Sequence, residues 1–319
     1  MAGSDAVVLA EVVRSQVETH ARFGGVVPEL AGRRHIESID LVVQEALARA
    51  GVGVRDLSAI AVTGGPGLIG ALLVGVSYGK ALAYSLNIPL IPVNHLEGHL
   101  SASWLGATRV TQPFVALIAS GGHTNLYHVT AWGESVLMGR TLDDAAGEAF
   151  DKAARMLGLD YPGGPAIDRL AREGDPRNAP FPRPYPTCDD LNFSFSGIKT
   201  ALLYYLRDCE AAGRSWHVPD VAAGFQQAIV EVLVEKTLAA ARLAGVRDVV
   251  VTGGVAANSQ LRARFEARGK EEGRAVHIPP YRYCTDNGAM IAVAGARLFQ
   301  GGRVATLEFE PRADWAIGG

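Results

Sequence analysis

The chain has 319 residues, 48% hydrophobic and 20% charged, a length that calls for more than one compact core and a composition ordinary for globular proteins. A formal net charge of −3 excludes a strongly basic nucleic-acid binder, so any RNA contact has to be a local patch or be shared with a partner. Cys188, Cys209 and Cys284 lack metal-type spacing and argue for a reducing, cytoplasmic setting; no run is expected to match the ~18 apolar residues of a membrane span, and no basic-then-apolar leader is expected.

Ala6 to Val17 begins apolar and turns polar, which predicts a strand leading into a loop. The loop His20 to Pro28 holds a Gly24-Gly25 turn, and a helix is predicted from Pro28 to Ala50, with Ile36, Ile39, Val43 and Leu47 near one face. Three short apolar runs then end in similar turns: Leu57 to Val62 before Thr63-Gly64-Gly65, Phe114 to Ala119 before Ser120-Gly121-Gly122, and Val249 to Val251 before Thr252-Gly253-Gly254. The first and third echo each other, as expected of two similar α/β halves. Glycine lets backbone amides approach a phosphate, and a helix start just beyond adds its partial positive charge. Leu68 to Leu86 supplies such a helix after the first turn and Ala257 onward after the third. One such turn is an ordinary tight turn, but three together point to an anionic ligand.

Asp144 to Leu157 reads as a helix, Tyr161 to Pro165 breaks the chain, and Ala166 to Glu173 resumes helix. Asp175 to Thr187 carries five prolines and is predicted as a surface loop. Phe225 to Ala244 is strongly helical, with Ile229, Leu233, Leu238 and Leu243 expected in the core. The run Arg262, Arg264, Arg268, Lys270 and Arg274 is a candidate basic patch, though a solvated helix face explains it as well.

His95 and His99 lie four apart in Asn94-His95-Leu96-Glu97-Gly98-His99, which on a helix puts both imidazoles on one face. Asp286, just before the apolar helix Ala289 to Phe299, is the best third ligand, although an N-cap role accounts for it too. Two histidines and a carboxylate with open positions suit Fe(II), with Zn(II) the competitor. A zinc-protease reading fits poorly, because Glu97 stands two residues after His95, roughly 200° around the helix. Gly98 also weakens such a helix by about 1 kcal/mol.

These residues match a pattern. The chain resembles the bacterial tRNA threonylcarbamoyladenosine biosynthesis transferase (TsaD) family, whose members were formerly called O-sialoglycoprotein endopeptidases. The resemblance runs from about Ser15 to Trp315 through "SQVETHARFGGVVPELAGRRH", "TGGPGLIGALLVG", "NHLEGHL", "SGGHT", "DDAAGEAFDKAARMLGLDYPGGPAID", "FSFSGIKTAL", "TGGVAANSQLR" and "CTDNGAMIAVAG". It implies an α/β, two-lobed, actin-like and sugar-kinase-like (ASKHA) fold. The lobes are expected at 1–112 and 113–319, with the helix after Asp286 returning toward the first. It implies a catalytic metal on His95, His99 and Asp286, usually iron. It places an adenylate intermediate on Ile118, Ala119, Ser120, Gly121 and Gly122, with Asp151 and Gly164 on its adenosine side, Asp168 assisting and Asn258 completing the pocket.

The implied reaction moves a threonylcarbamoyl group from threonylcarbamoyl-AMP to the exocyclic amine of the adenosine beside the anticodon, in tRNAs reading codons that begin with A. No general base is assigned; Glu148 and Asp151 are near in sequence. The implied partners are tRNA, a paralogous actin-like subunit docked on the N-terminal lobe (Pro28 to Ala50 and the helix after Thr63) and a small P-loop ATPase; no membrane is involved. Family members open with an apolar strand and a loop reading roughly G-I-E-T-S-C-D-E-T, whereas this chain begins Met1-Ala2-Gly3-Ser4-Asp5-Ala6-Val7. The first lobe is therefore expected to lack its opening strand, through a misassigned start, a trimmed chain or real divergence, the first two favoured because every later motif is intact. An actin-like ATPase and a non-catalytic subunit of the same complex are the competing classes. Mg(II) in the former prefers carboxylates, waters and phosphates to imidazole.

Overall fold

The computed structural model describes residues 6–106, 110–183 and 190–317. In chain order it holds α1 (Val17–Ala21), α2 (Pro28–Ala50), β1 (Ile60–Gly65), α3 (Ile69–Leu86), β2 (Leu90–Asn94), α4 (His95–Ala102), β3 (Phe114–Ala119), β4 (Thr124–Ala131) and β5 (Glu134–Arg140). There follow α5 (Ala146–Met156), α6 (Gly163–Ala171), α7 (Ser196–Ala211), α8 (Val218–Leu243), β6 (Asp248–Thr252), α9 (Ser259–Glu271), β7 (Ala275–His277) and α10 (Gly288–Gln300). The fold is mixed α/β and divides into two compact units, residues 1–107 with 286–319, and residues 108–285.

In the first unit, β1 and β2 pair in parallel from Ile60↔Leu90 to Gly65↔Asn94, the geometry of a strand–helix–strand crossover through α3. Among the described residues this sheet has two strands. Residues 6–16 hold no regular element, so the strand expected from Ala6 is not there. The predicted helix Pro28–Ala50 is found with those bounds, opened by Pro28 and closed by Gly51 in the left-handed region. Ile36, expected on its inner face, is 67% exposed. The sequence division counted 286–319 with the second lobe while expecting the helix after Asp286 to return toward the first. That helix, α10, packs on α4, β1 and β2 through an apolar face of Met290, Ile291, Val293, Ala294 and Leu298.

Against the expectation that no span-like run exists, α3 is long and apolar enough, by length and composition, to cross a membrane. It carries Lys80 within its length and packs against α2, β1 and β2.

In the second unit, five strands lie in the order β5-β4-β3-β6-β7. β3 is antiparallel to β4 and parallel to β6, and β6 is parallel to β7. β3 is fully buried along its length, flanked on both edges by partners, which is why it reads as an unbroken apolar run. Helix α8 supplies the largest buried helical face, including Phe225, Ile229, Leu233 and Leu238. Leu243, predicted with them, is 70% exposed at the last turn. The proline-rich stretch is not a plain surface loop either. Ala179 and Phe181 are buried, and the missing side chain of Gly224 on α8 makes room for the Ala179 carbonyl. Pro184 to Thr187 and Cys188 lie outside the described residues.

Candidate functional site

In the first unit the three expected donors, His95, His99 and Asp286, lie together. Asn94 caps α4, its Oδ1 accepting from the amides of Leu96 (2.9 Å) and Glu97 (3.4 Å). The helix then begins at His95 and presents His95 and His99 with ring centroids 4.7 Å apart. Asp286 Oδ1 lies 3.4 Å from His95 Nε2 and 3.2 Å from His99 Nε2. One ligand atom from each of the three falls within 4.8 Å of the others. His99 is buried, and burial pushes its pKa down, toward the neutral imidazole that binds a cation. The Asp286 side chain is 76% exposed; desolvation beside the helix pushes its carboxyl up, but the two imidazoles outweigh it and hold it well below the usual carboxylate range.

Asp286 is not the cap of α10. Asn287 takes that role, its Oδ1 accepting from Met290 N at 2.8 Å, which leaves the Asp286 carboxylate to the histidines. Gly98 has a packing reason: a β-carbon there would lie 2.6 Å from Ile291 on α10. The helix propensity lost at Gly98 allows the close approach of α10 that brings Asp286 to α4. Glu97 is buried, and burial pushes its pKa up against the opposing charge of Arg303. It is no part of the three-donor cluster.

The three glycine turns differ in what covers them. The first is plugged by its own chain. A β-carbon on Gly64 would lie 2.7 Å from Phe309 and 2.9 Å from Trp315, and one on Gly65 would land on the Arg312 carbonyl. It is a seat for residues 309–315, not the anion site its spelling suggested. In the third turn Gly253 adopts φ +91° with its α-carbon packed against the Ala119 carbonyl. Only the second turn is open, with nothing within 4 Å of a β-carbon on either Gly121 or Gly122. Ser120 N donates to the His123 carbonyl (2.8 Å), and His123 N to Ser120 Oγ (3.2 Å), closing the turn. Ile118 and Ala119 are fully buried and paired in the sheet, so Ser120–Gly122 is the accessible part of that predicted segment.

The other predicted substrate residues are brought together around α6 and α9. Asp151 Oδ1 accepts from Gly163 N at 2.7 Å, and the Gly164 amide also bonds to this carboxylate. Burial raises the Asp151 pKa against those two amides. Asp168 Oδ1 accepts from Ser259 N (3.2 Å) and Ser259 Oγ (2.8 Å), while its Oδ2 accepts from Arg172 (3.0 Å). Asn258 caps α9 through Leu261 N (2.9 Å) and donates from Nδ2 to Gln226 Oε1 at 2.6 Å.

Sequence reasoning missed Gln226, a buried polar residue inside the apolar face of α8, and Gly147, whose β-carbon would strike Ser120 O at 2.7 Å. A glutamine interrupting an apolar stripe, and a glycine in a helix's first turn, were the available signals. Three of the five cations of the basic run are engaged, while Arg264 and Lys270 are exposed. Arg268 pairs with Glu235, Glu271 and Glu272, Arg274 with Glu272, and Arg262 donates to the Ala256 carbonyl. Asp143 binds Ser194, Phe195 N and Ser196, and Asp144 holds Lys152 and Lys199. The two aspartates thereby tie the "FSFSGIKT" segment to the start of α5.

The family profile described as TsaD, tRNA N6-adenosine threonylcarbamoyltransferase, matches residues 7–293. The chain belongs to this family. A curated protein of that name from Syntrophotalea carbinolica is 52% identical over 310 residues, covering 97% of this chain and 90% of the relative. One from Clostridioides difficile is 52% identical over 296 residues, covering 93% and 88%. Among solved structures, full-length HypF in a phosphate- and nucleotide-bound form aligns with TM-score 0.58 at 14% identity, over 80% of this chain and 41% of that one. HypF of T. kodakarensis gives 0.56 at 16%, over 81% and 43%. At these identities the likeness is one of fold. Family membership makes the chain a transferase of tRNA modification.

Proposed function

We propose that the chain transfers a threonylcarbamoyl group from threonylcarbamoyl-AMP to the exocyclic amine of the adenosine beside the anticodon, in tRNAs reading codons that begin with A. The observation that carries the site assignment is the convergence of His95, His99 and Asp286, three donors within 4.8 Å on elements fixed by their own caps. Two imidazoles and a carboxylate fit one divalent cation, Fe(II) ahead of Zn(II), better than Mg(II). When bound, that cation supplies Lewis acidity toward an oxygen of the substrate.

The chain's own residues do the rest. The open Ser120–Gly122 turn receives the phosphate side of the adenylate, where backbone amides approach an anion without a side chain between. Asp151, Gly164 and Asn258 line the adenosine side. The amine nitrogen attacks the carbamoyl carbon, the carbon–oxygen bond to phosphate breaks, and AMP leaves with the electron pair. No general base is assigned to the amine proton. The two α/β units are read as the lobes of an actin-like, sugar-kinase-like (ASKHA) fold, which the HypF likeness supports. A paralogous actin-like subunit and a small P-loop ATPase are the proposed cytoplasmic partners.

The test is a reconstituted transfer with unmodified tRNA, labelled threonine, bicarbonate, ATP, the intermediate-forming enzyme and the bacterial partner proteins. Label should enter tRNA with this chain and not with its His95→Ala/His99→Ala variant. Label undiminished in that variant would return the chain to a non-catalytic role.

A further inference from the structure

The segment that plugs the first glycine turn also reaches the metal helix. Ala305 N donates to Leu90 O at 2.9 Å, laying the chain antiparallel along the start of β2. Arg312 N donates to Gly64 O (2.8 Å), and Gly67 N to Ala313 O (3.1 Å). Phe309 and Trp315 lie 6.0 Å apart by ring centroid over the bare face of Gly64. The segment then ends on Asn94, whose Nδ2 donates to the carbonyls of Trp315 (2.9 Å) and Ala316 (3.2 Å).

Asn94 is 2% exposed and sits between two unlike surfaces. Two carbonyls face its nitrogen and two helix amides face its oxygen, so only one orientation of the side-chain amide satisfies all four. The next residue is His95. We propose that Asn94 and the strap Phe309–Ala316 are positioning residues for the metal centre. The strap's carbonyls orient the Asn94 amide, and the oriented amide caps the helix that presents both imidazoles. A residue that fixes the backbone carrying the ligands can tune metal affinity without touching the ion. The inference rests on the metal reading of His95, His99 and Asp286 and adds a control on its geometry.

The test uses Co(II), whose visible bands report coordination, titrated into the full chain while its melting temperature is followed. Asn94→Ser keeps a good helix cap but is too short to reach the strap, and Trp315→Gly unseats the strap from the other side. Each should weaken Co(II) binding roughly tenfold and shift its bands, and the double variant should be no worse than either single, because both act through one link. Trp315→Phe, which keeps a ring on Gly64 and the backbone carbonyl, should restore affinity. Wild-type affinity and bands in both single variants, or losses that multiply in the double, would overturn the inference. Failure of the metal reading itself is separately visible, as wild-type protein that binds no Co(II) or binds it equally well after His99→Ala.

Discussion

Replacing Gly147 by alanine sets two effects of opposite sign against each other. Gly147 is the second residue of α5, where Gly→Ala gains at most about 1 kcal/mol of helix propensity. The added β-carbon would lie 2.7 Å from Ser120 O and 2.8 Å from Gly121 N, against backbone that cannot rotate away. Overpacking of this kind costs about 1–3 kcal/mol, so the net loss is about 0–3 kcal/mol. For a unit of this size that lowers the melting temperature by up to roughly 12 °C. The displaced atoms belong to the open turn assigned to the adenylate, so kcat/KM should fall roughly 10- to 100-fold. Gly122→Ala is the control. Nothing lies within 4 Å of its β-carbon, so stability should stay within about 0.5 kcal/mol while the new methyl occupies ligand space and transfer falls. Calorimetry and transfer kinetics read both quantities. A Gly147→Ala protein with wild-type melting and kinetics would refute the claim that α5 sets the turn.

His99→Ala should abolish both bound metal, by elemental analysis, and transfer. Gly65→Ala puts a side chain at φ +149° onto the Arg312 carbonyl and should destabilise by about 2 kcal/mol or more in denaturant titration. For Asp143, burial pushes the pKa up, but the Ser194 and Ser196 hydroxyls and the Phe195 and Ser196 amides hold it below the ordinary value. The unfolded chain therefore takes up this proton first, near ~3.9. Its stabilisation is fully present above that value and is lost as pH falls through the depressed folded value. The stability gap between wild type and Asp143→Asn should be constant above about pH 5 and narrow progressively as pH falls below about 4, in urea titrations.

Local chemistry made much of this chain readable, and remote chain decided the rest. Helix α2 follows its proline and glycine punctuation to the residue, and the His95–His99 pair needed only an i,i+4 spacing. The three glycine turns show the limit. They are spelled almost alike, yet the first is filled by Phe309 and Trp315, some 240 residues on, and only the second is open. Nothing local distinguishes them, because the difference is what a distant segment does. The same holds for Leu243, which keeps the apolar period of α8 but falls at a helix end that runs out of core, and for Arg268 of the basic run, paired with Glu235 across a helix pair. Asp286 could be proposed as a ligand, but freeing it from capping depended on Asn287.

The capping logic differs in the second unit and makes its own prediction. At the candidate metal centre the cap and the proposed ligand are separate residues, Asn287 beside Asp286. Around α6 and α9 the predicted substrate residues are themselves the structural acceptors. Both oxygens of Asp168 are engaged, one by Ser259 and one by Arg172, so its effect on the adenylate should run through the start of α9, where Asn258 sits. Asp168→Asn and Ser259→Ala should then lower kcat/KM by similar factors, and the double variant should fall little further, with a coupling of about 0.5–3 kcal/mol between the two sites. Steady-state kinetics with threonylcarbamoyl-AMP varied measures all three proteins. A direct ligand contact by Asp168 would instead make its loss far larger than that of Ser259 and the two losses multiply, and the carboxylate would then have to leave Ser259 when the adenylate binds.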